Sequence, residues 1–463
     1  MHNDPLTPHR TPAVRRGPLL TVMVVILAFN YVDRLTLGIV LEPIKRDLQL
    51  TDTQLGLLTG IAFAIFYAAM GIPIARWADR GNRVSIIALT CGLWSAAVMV
   101  SAAVTSFLQL MLVRVFVGVG EAGCQPAALS LISDYYSRAE RTRAIARYKL
   151  GWPIALIAGN LAAGWLNQFL GWRWTFFLIG LPNLAIAVVA FWVLKEPRLG
   201  AQGIARPMIA SAPAEPLPRV FAVLWRNRTY RHLALCFLFS SFFTDGILQW
   251  QPAFFIRSHG MATGELGTWL AIFYGGGTLL GTFLGGELTA RYAATNERLQ
   301  LIIVAVLYAL FAVLTAAVYL APNYPLAFVL LGLAVLGGGA TNGPLYAASQ
   351  TLVSPRMRAM SIAIILFGSN LIGMGFGPLL VGWLSDVFAP YAGNESLRYA
   401  IVAMTPGYFW CTWHLWKASR TVTEDVDAAM REEAACAASA SLAGEPRVSP
   451  GQFPAGPTHA AKP

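Results

Sequence analysis

Twelve apolar runs of spanning length constrain this 463-residue chain more than any other feature, near residues 19–41, 54–75, 84–104, 109–133, 145–169, 174–194, 232–256, 266–290, 299–320, 326–352, 360–386 and 397–417. Inside hydrocarbon no water is available to backbone amides. Each run must therefore satisfy its own N–H and C=O groups, which a helix of about 20 residues does. Composition agrees, with 56% hydrophobic and 12% charged residues, where a soluble domain carries about a quarter charged. The expected fold class is an all-α membrane protein of twelve transmembrane helices. The first run is too long for a signal peptide, is interrupted by Asn30, Asp33 and Arg34, and lacks a small-residue cleavage site after it.

A net charge of +11 raises the question of nucleic acid, and the placement of the charges answers it. Arginines gather before run 1 (Arg10, Arg15, Arg16), between runs 2 and 3, 4 and 5, 6 and 7, 8 and 9, and 10 and 11, and after run 12 (Lys417, Arg420). The alternate loops carry few, and Lys45 and Arg46 are offset by acids. The positive-inside rule then places both termini and the long central loop in the cytoplasm, and no nucleic-acid partner is implied. The five cysteines have no close pair and the histidines show no metal-ligand spacing, so neither a disulfide framework nor a metal site follows. No phosphate loop of the Gly-rich Lys-Ser/Thr type is present, which argues against ATP-driven work, and no catalytic constellation marks an enzyme or implies a cofactor.

Residues 196–231, rich in Pro, Ala and Arg, form the long polar interruption and divide the chain into two halves of six runs. The expected organisation is a tail at 1–18, a bundle at 19–195, a central loop at 196–231, a second bundle at 232–420, and a largely disordered tail at 421–463 that starts with a short amphipathic helix over Thr423 to Ala438. The halves echo one another. Gly164-Trp165-Leu166 returns as Gly382-Trp383-Leu384, and Pro126 returns at the same offset as Pro344. Parallel repeats of this kind mark transporters whose halves rock about a site at their interface.

Charges inside the runs point to that site. Run 4 contains Arg114 and Glu121, about two turns apart on one helix face, with Gln125 a turn further and Gly118, Gly120 and Gly123 beside them. Ionisable groups at membrane depth cost at least ~2.5 to 3.5 kcal/mol, so they persist where they pair, face a cavity or do work. The glycines make this read as a cavity-lining helix. Asp33 and Arg34 in run 1 point about 100° apart and need not pair with each other. Asp33 with Arg114 and Arg34 with Glu121 is one way to neutralise all four. A carboxylate that loses its arginine in a dry site takes up a proton, which is a coupling device; the plainer alternative is a static network holding two helices in register. Asn30, Tyr31, Gln125, Trp250 and Asn342 are further candidates for the cavity wall. Asp245, beside Gly246, is either a second cavity acid or a cap on an irregular turn.

Gly71-Ile-Pro-Ile-Ala-Arg-Trp-Ala-Asp79-Arg80-Gly81-Asn82-Arg83 resembles the loop 2–3 signature of the major facilitator superfamily. That resemblance implies two six-helix bundles and a cytoplasmic latch carried by Gly71, Asp79, Arg80 and Arg83, with Arg143 in the loop between runs 4 and 5. Asn30-Tyr31-Val32-Asp33-Arg34, Arg114 with Gly118-Val-Gly120-Glu121-Ala122, and Gly171-Trp172-Arg173-Trp174 are similar to the spinster-like branch, which moves lysophospholipids and sphingosine-type lipids. The implied activity is secondary transport of an amphipathic lipid, coupled to protons, by a monomer in a bacterial inner membrane. A carrier or exporter of small organic anions or drugs is the rival, since Arg34 and Arg114 would serve a carboxylate as well. The composition beyond about residue 440 cannot bury a core. Truncation there is expected to leave transport intact, as measured by uptake into vesicles.

Overall fold

The computed structural model describes residues 16–197, 217–292, 296–353 and 357–442, and every regular element among them is helical. Nine of the described helical stretches are long and apolar enough to cross a membrane. Two of these fold back on themselves. Arg143–Val193 breaks at Gly171, whose φ of 79° and ψ of 168° suit a residue without a Cβ. Met360–Arg431 breaks at the 3-10 turn Gly393–Glu395. With the passage at 263–292 added, the described chain makes twelve spans in two halves. Spans 1 to 6 cover 16–48, 52–80, 83–100, 107–135, 138–170 and 172–193. Spans 7 to 12 cover 228–259, 263–292, 297–320, 324–351, 358–392 and 396–442.

Local sequence explains where spans begin. Thr51 and Gln54 form a capping box before span 2. The side chains of Asn82, Ser106, Asn227, Asn296 and Asn323 each accept the amide three residues on, at the starts of spans 3, 4, 7, 9 and 10. Each cap satisfies an amide that the first helical turn leaves without a partner.

The helix expected over Thr423 to Ala438 is present, but it continues span 12 without a break. One helix runs Gly407–Leu442, so no break falls at residue 420. Val422 and Val426 are buried, and Asp425 accepts the Thr229 amide at 2.8 Å, capping the start of span 7. A stretch rich in Ala and Glu favours helix on its own, and this buried face ties it down.

The two halves meet at the end opposite the termini, through glycines. A Cβ at Gly56 would sit 2.6 Å from the Pro378 carbonyl oxygen, and one at Gly60 would meet the Gly375 carbonyl, so spans 2 and 11 touch backbone to backbone. Gly267 of span 8 meets the Asn160 carbonyl of span 5 in the same way. At the other end, a Cβ at Gly71 or Gly343 would meet nothing within 4 Å. The bundle is therefore sealed at the end opposite the termini, while at the other end neither glycine is in close contact with the opposite half. Gly56→Val is expected to force spans 2 and 11 apart. Cysteine labelling from the side opposite the termini should rise in that variant, and unchanged labelling would contradict the seal.

A candidate substrate cavity and its buried charges

Between the halves lies a cavity of about 460 Å³, a size suited to a small ligand. Its wall draws on both halves, and Arg34 of span 1 and Asp245 of span 7 are its charged side chains. The second-half side includes Tyr274, Tyr308, Tyr319, Tyr346 and Tyr408.

Arg34 leans across span 4. Its Nε and Nη2 donate to the same oxygen of Glu121, Oε2, at 2.9 and 2.6 Å. Phe63, Tyr67 and Tyr31 surround the guanidinium at 4.7, 5.1 and 5.6 Å from their ring centres, which adds cation–π attraction. Arg114 Nη1 donates to Asp33 Oδ2 at 3.0 Å. Spans 1 and 4 are thus joined by two ion pairs, and both pairings left open by the sequence are made. Satisfaction is incomplete, however. Glu121 Oε1, Asp33 Oδ1 and Arg114 Nε are buried and make no hydrogen bond within the described protein.

The glycines of span 4 have a different use from the one expected. A Cβ at Gly118 would sit 2.8 Å from the Phe63 carbonyl, and one at Gly120 would sit 2.7 Å from Trp94 Cβ. One at Gly123 would strike Ile74. They bring spans 2 and 3 against span 4 and open no space for a ligand, because a missing side chain is filled by a neighbouring backbone whenever packing allows. Glu121, Asp33 and Arg114 accordingly lie behind the wall, with Arg34 between Glu121 and the cavity. Asn30 and Gln125 are not part of the wall either. Trp250 is fully buried, with its indole N–H donating to the Pro378 carbonyl at 2.8 Å, and so serves packing between spans 7 and 11. Tyr31 and Asp245 do line the cavity, which places Asp245 as a cavity acid. The side chain of Asn342 lies outside the described ones.

At the terminal end, Arg83 is buried and bound within the first half. Asp134 at 2.7 Å, Ser130 Oγ at 3.0 Å and the carboxylate of Glu196 hold it, joining spans 3 and 4 to the segment after span 6. Arg143 is exposed. The side chains of Asp79 and Arg80 lie outside the described ones. Gly71, expected to permit close approach, has open space where a Cβ would sit.

A second charged network escaped the sequence reading. Arg257, near the end of span 7, donates from Nη1 and Nη2 to the two oxygens of Asp52 at 2.7 Å each and from Nε to Glu42 at 2.6 Å. Lys45 and Ser385 also donate to Asp52, while Asp386 of span 11 accepts the amides of Asp52 and Thr53. A carboxylate from one half thus caps a helix start in the other, where the helix dipole favours it. The acids beside Lys45 were visible in the sequence, but their partners lie more than 200 residues away.

Arg114→Ala removes one member of a buried pair, which typically costs ~3 to 5 kcal/mol. The variant is expected to melt earlier in detergent. Adding Asp33→Asn to it should cost less than the two single losses combined. Strict additivity would mean that the pair contributes no coupling.

Comparison with known proteins follows the same outline. The Major Facilitator Superfamily profile matches residues 23–378. An MFS-type efflux pump of Mycolicibacterium smegmatis is 32% identical over 400 residues, covering 85% of this chain and 91% of its own length. Protein spinster homolog 1 of Xenopus tropicalis is 27% identical over 418 residues, covering 82% of this chain and 77% of its own length. A bacterial homologue of the human lysosomal transporter Spinster, solved inward-facing and unoccupied, superposes with a TM-score of 0.75 at 30% identity, covering 90% of this chain and 99% of its own. With that profile spanning most of both bundles, the chain belongs to the major facilitator superfamily of membrane transporters.

Proposed function

We propose that this chain is a proton-coupled secondary transporter of an amphipathic lipid, such as a lysophospholipid or sphingoid lipid, working by alternating access as a monomer in a bacterial inner membrane. The observation that carries this reading is the Arg34–Glu121 pair at the cavity wall. Arg34 is held by one oxygen of Glu121, and the other oxygen is buried and unpartnered. A proton on Glu121 would remove the charge that holds Arg34 and free the guanidinium for a phosphate or carboxylate in the cavity. Loss of that proton would return Arg34 to Glu121 and expel the ligand's head. The apolar and aromatic part of the wall suits an acyl chain. The likeness to spinster proteins supports a lipid cargo, and the seal at the end opposite the termini supports an inward-open state.

A second reading, export of drugs or small organic anions, draws support from the similarity to the mycobacterial efflux pump. Uptake of a lysolipid panel against a drug panel separates the two.

Glu121→Gln keeps the shape and much of the hydrogen bonding but carries no charge at any pH. In proteoliposomes it should abolish accumulation driven by an imposed pH gradient while leaving substrate exchange. Full gradient-driven accumulation in Glu121→Gln, with loss in Asp33→Asn, would move the proton site to span 1.

A further inference from the structure

The five ionisable side chains grouped at the centre of the molecule do not cancel. Arg34 is matched by Glu121 and Arg114 by Asp33, which leaves Asp245. It faces the cavity from span 7, and among the described residues it makes no ion pair and no hydrogen bond. The other charged group of the wall, Arg34, is held by Glu121. A carboxylate in a dry site is costly unless something positive meets it or a proton neutralises it. The surroundings favour the first. Tyr274, Tyr308 and Tyr346 share the second-half wall and keep part of their surface open, while Tyr319 and Tyr408 stand behind them, packed against Phe254 and Phe311. Aromatic faces around a carboxylate are the arrangement that recognises a weakly hydrated cation, through cation–π attraction and a single counter-charge.

We propose that Asp245 and the tyrosines beside it form a recognition site for a lipophilic monocation, either a free quaternary ammonium or phosphonium compound or the ammonium part of a larger amphiphile. The site selects cargo by the sign of its charge, and Arg34, on the adjoining span 1 of the same cavity, takes any anionic part of the same molecule. This rests on the reading of the cavity as the transport site, but not on lipid as the cargo or on Glu121 as the proton carrier.

The test is equilibrium binding of radiolabelled tetraphenylphosphonium to the full-length protein in neutral detergent, with tetraphenylborate, of the same shape and opposite charge, as competitor. Wild type should bind the phosphonium saturably and the borate should compete poorly. Asp245→Asn should weaken binding by about tenfold or more, a size in keeping with one desolvated counter-charge. Asp245→Glu, which keeps the charge, should bind within a few-fold of wild type and guards against a folding defect in the amide variant. Unchanged phosphonium binding in Asp245→Asn overturns the proposal, as does equal competition by the borate or no binding by wild type. Intact cation binding together with lost gradient-driven transport in Asp245→Asn would make it a proton site and also overturn it. Should lysolipid transport fail while the phosphonium result holds, the lipid reading falls and this site stands.

Discussion

Charge in a low-dielectric interior is the constraint on which the structure depends. A lone charge at membrane depth is costly, and Arg114 and Asp33 are each tolerated because the other lies 3.0 Å away on a neighbouring span. The same holds for Arg34 and Glu121. These pairs set the register of spans 1 and 4. Gly118, Gly120 and Gly123 then let spans 2 and 3 close over them, which keeps lipid and water off the network. Arg34 both bonds Glu121 and lines the cavity. A group that can titrate is thereby connected to a group that can bind cargo.

The two halves share a plan and divide the chemistry. The first half holds the paired charges, and the second half presents Asp245 and a tyrosine surface to the same cavity. Contact between the halves runs through spans 1 and 7 and through spans 2, 5, 8 and 11, and each of the last four has a backbone irregularity inside it. Gly60 has φ −103° and ψ −96° in span 2, and π-turns occupy Ala155–Gly159, Leu270–Gly275 and Ser369–Met374 in spans 5, 8 and 11. Such turns bend a helix without exposing its amides to hydrocarbon. These four contact helices are thus equipped to bend when the halves rock. At the sealed end, Arg257 binds acids of the first half and Asp386 caps span 2, so rocking must break both at once.

Much of this was legible along the chain because some physical signals are local. Spanning length, the arginine bias between runs and the polar interruption that separates two six-span halves each depend on residues a few positions apart. The buried charges were legible too, since a charged residue in an apolar run stands out wherever it points. Three-dimensional placement was another matter. The glycines of span 4 read as room for a ligand when they are room for Phe63, Trp94 and Ile74, because a residue without a side chain carries no record of what fills the gap. Trp250 read as cavity wall when its partner is the Pro378 carbonyl, 128 positions away.

The sequence by itself determined that the chain crosses a membrane as helices, in two related halves, with four charges at depth on spans 1 and 4 that had to find partners. An apolar run of about 20 residues satisfies its own backbone in hydrocarbon as a helix, and a charge there is costly without a partner, so those conclusions need no knowledge of contacts. Only the tertiary structure decided that Arg34 stands between Glu121 and the cavity, that Asp245 faces the cavity without a partner, and that Arg257 meets Asp52 and Glu42 across the sealed end. Each depends on which faces of distant helices come together, and that is set by packing across the whole bundle.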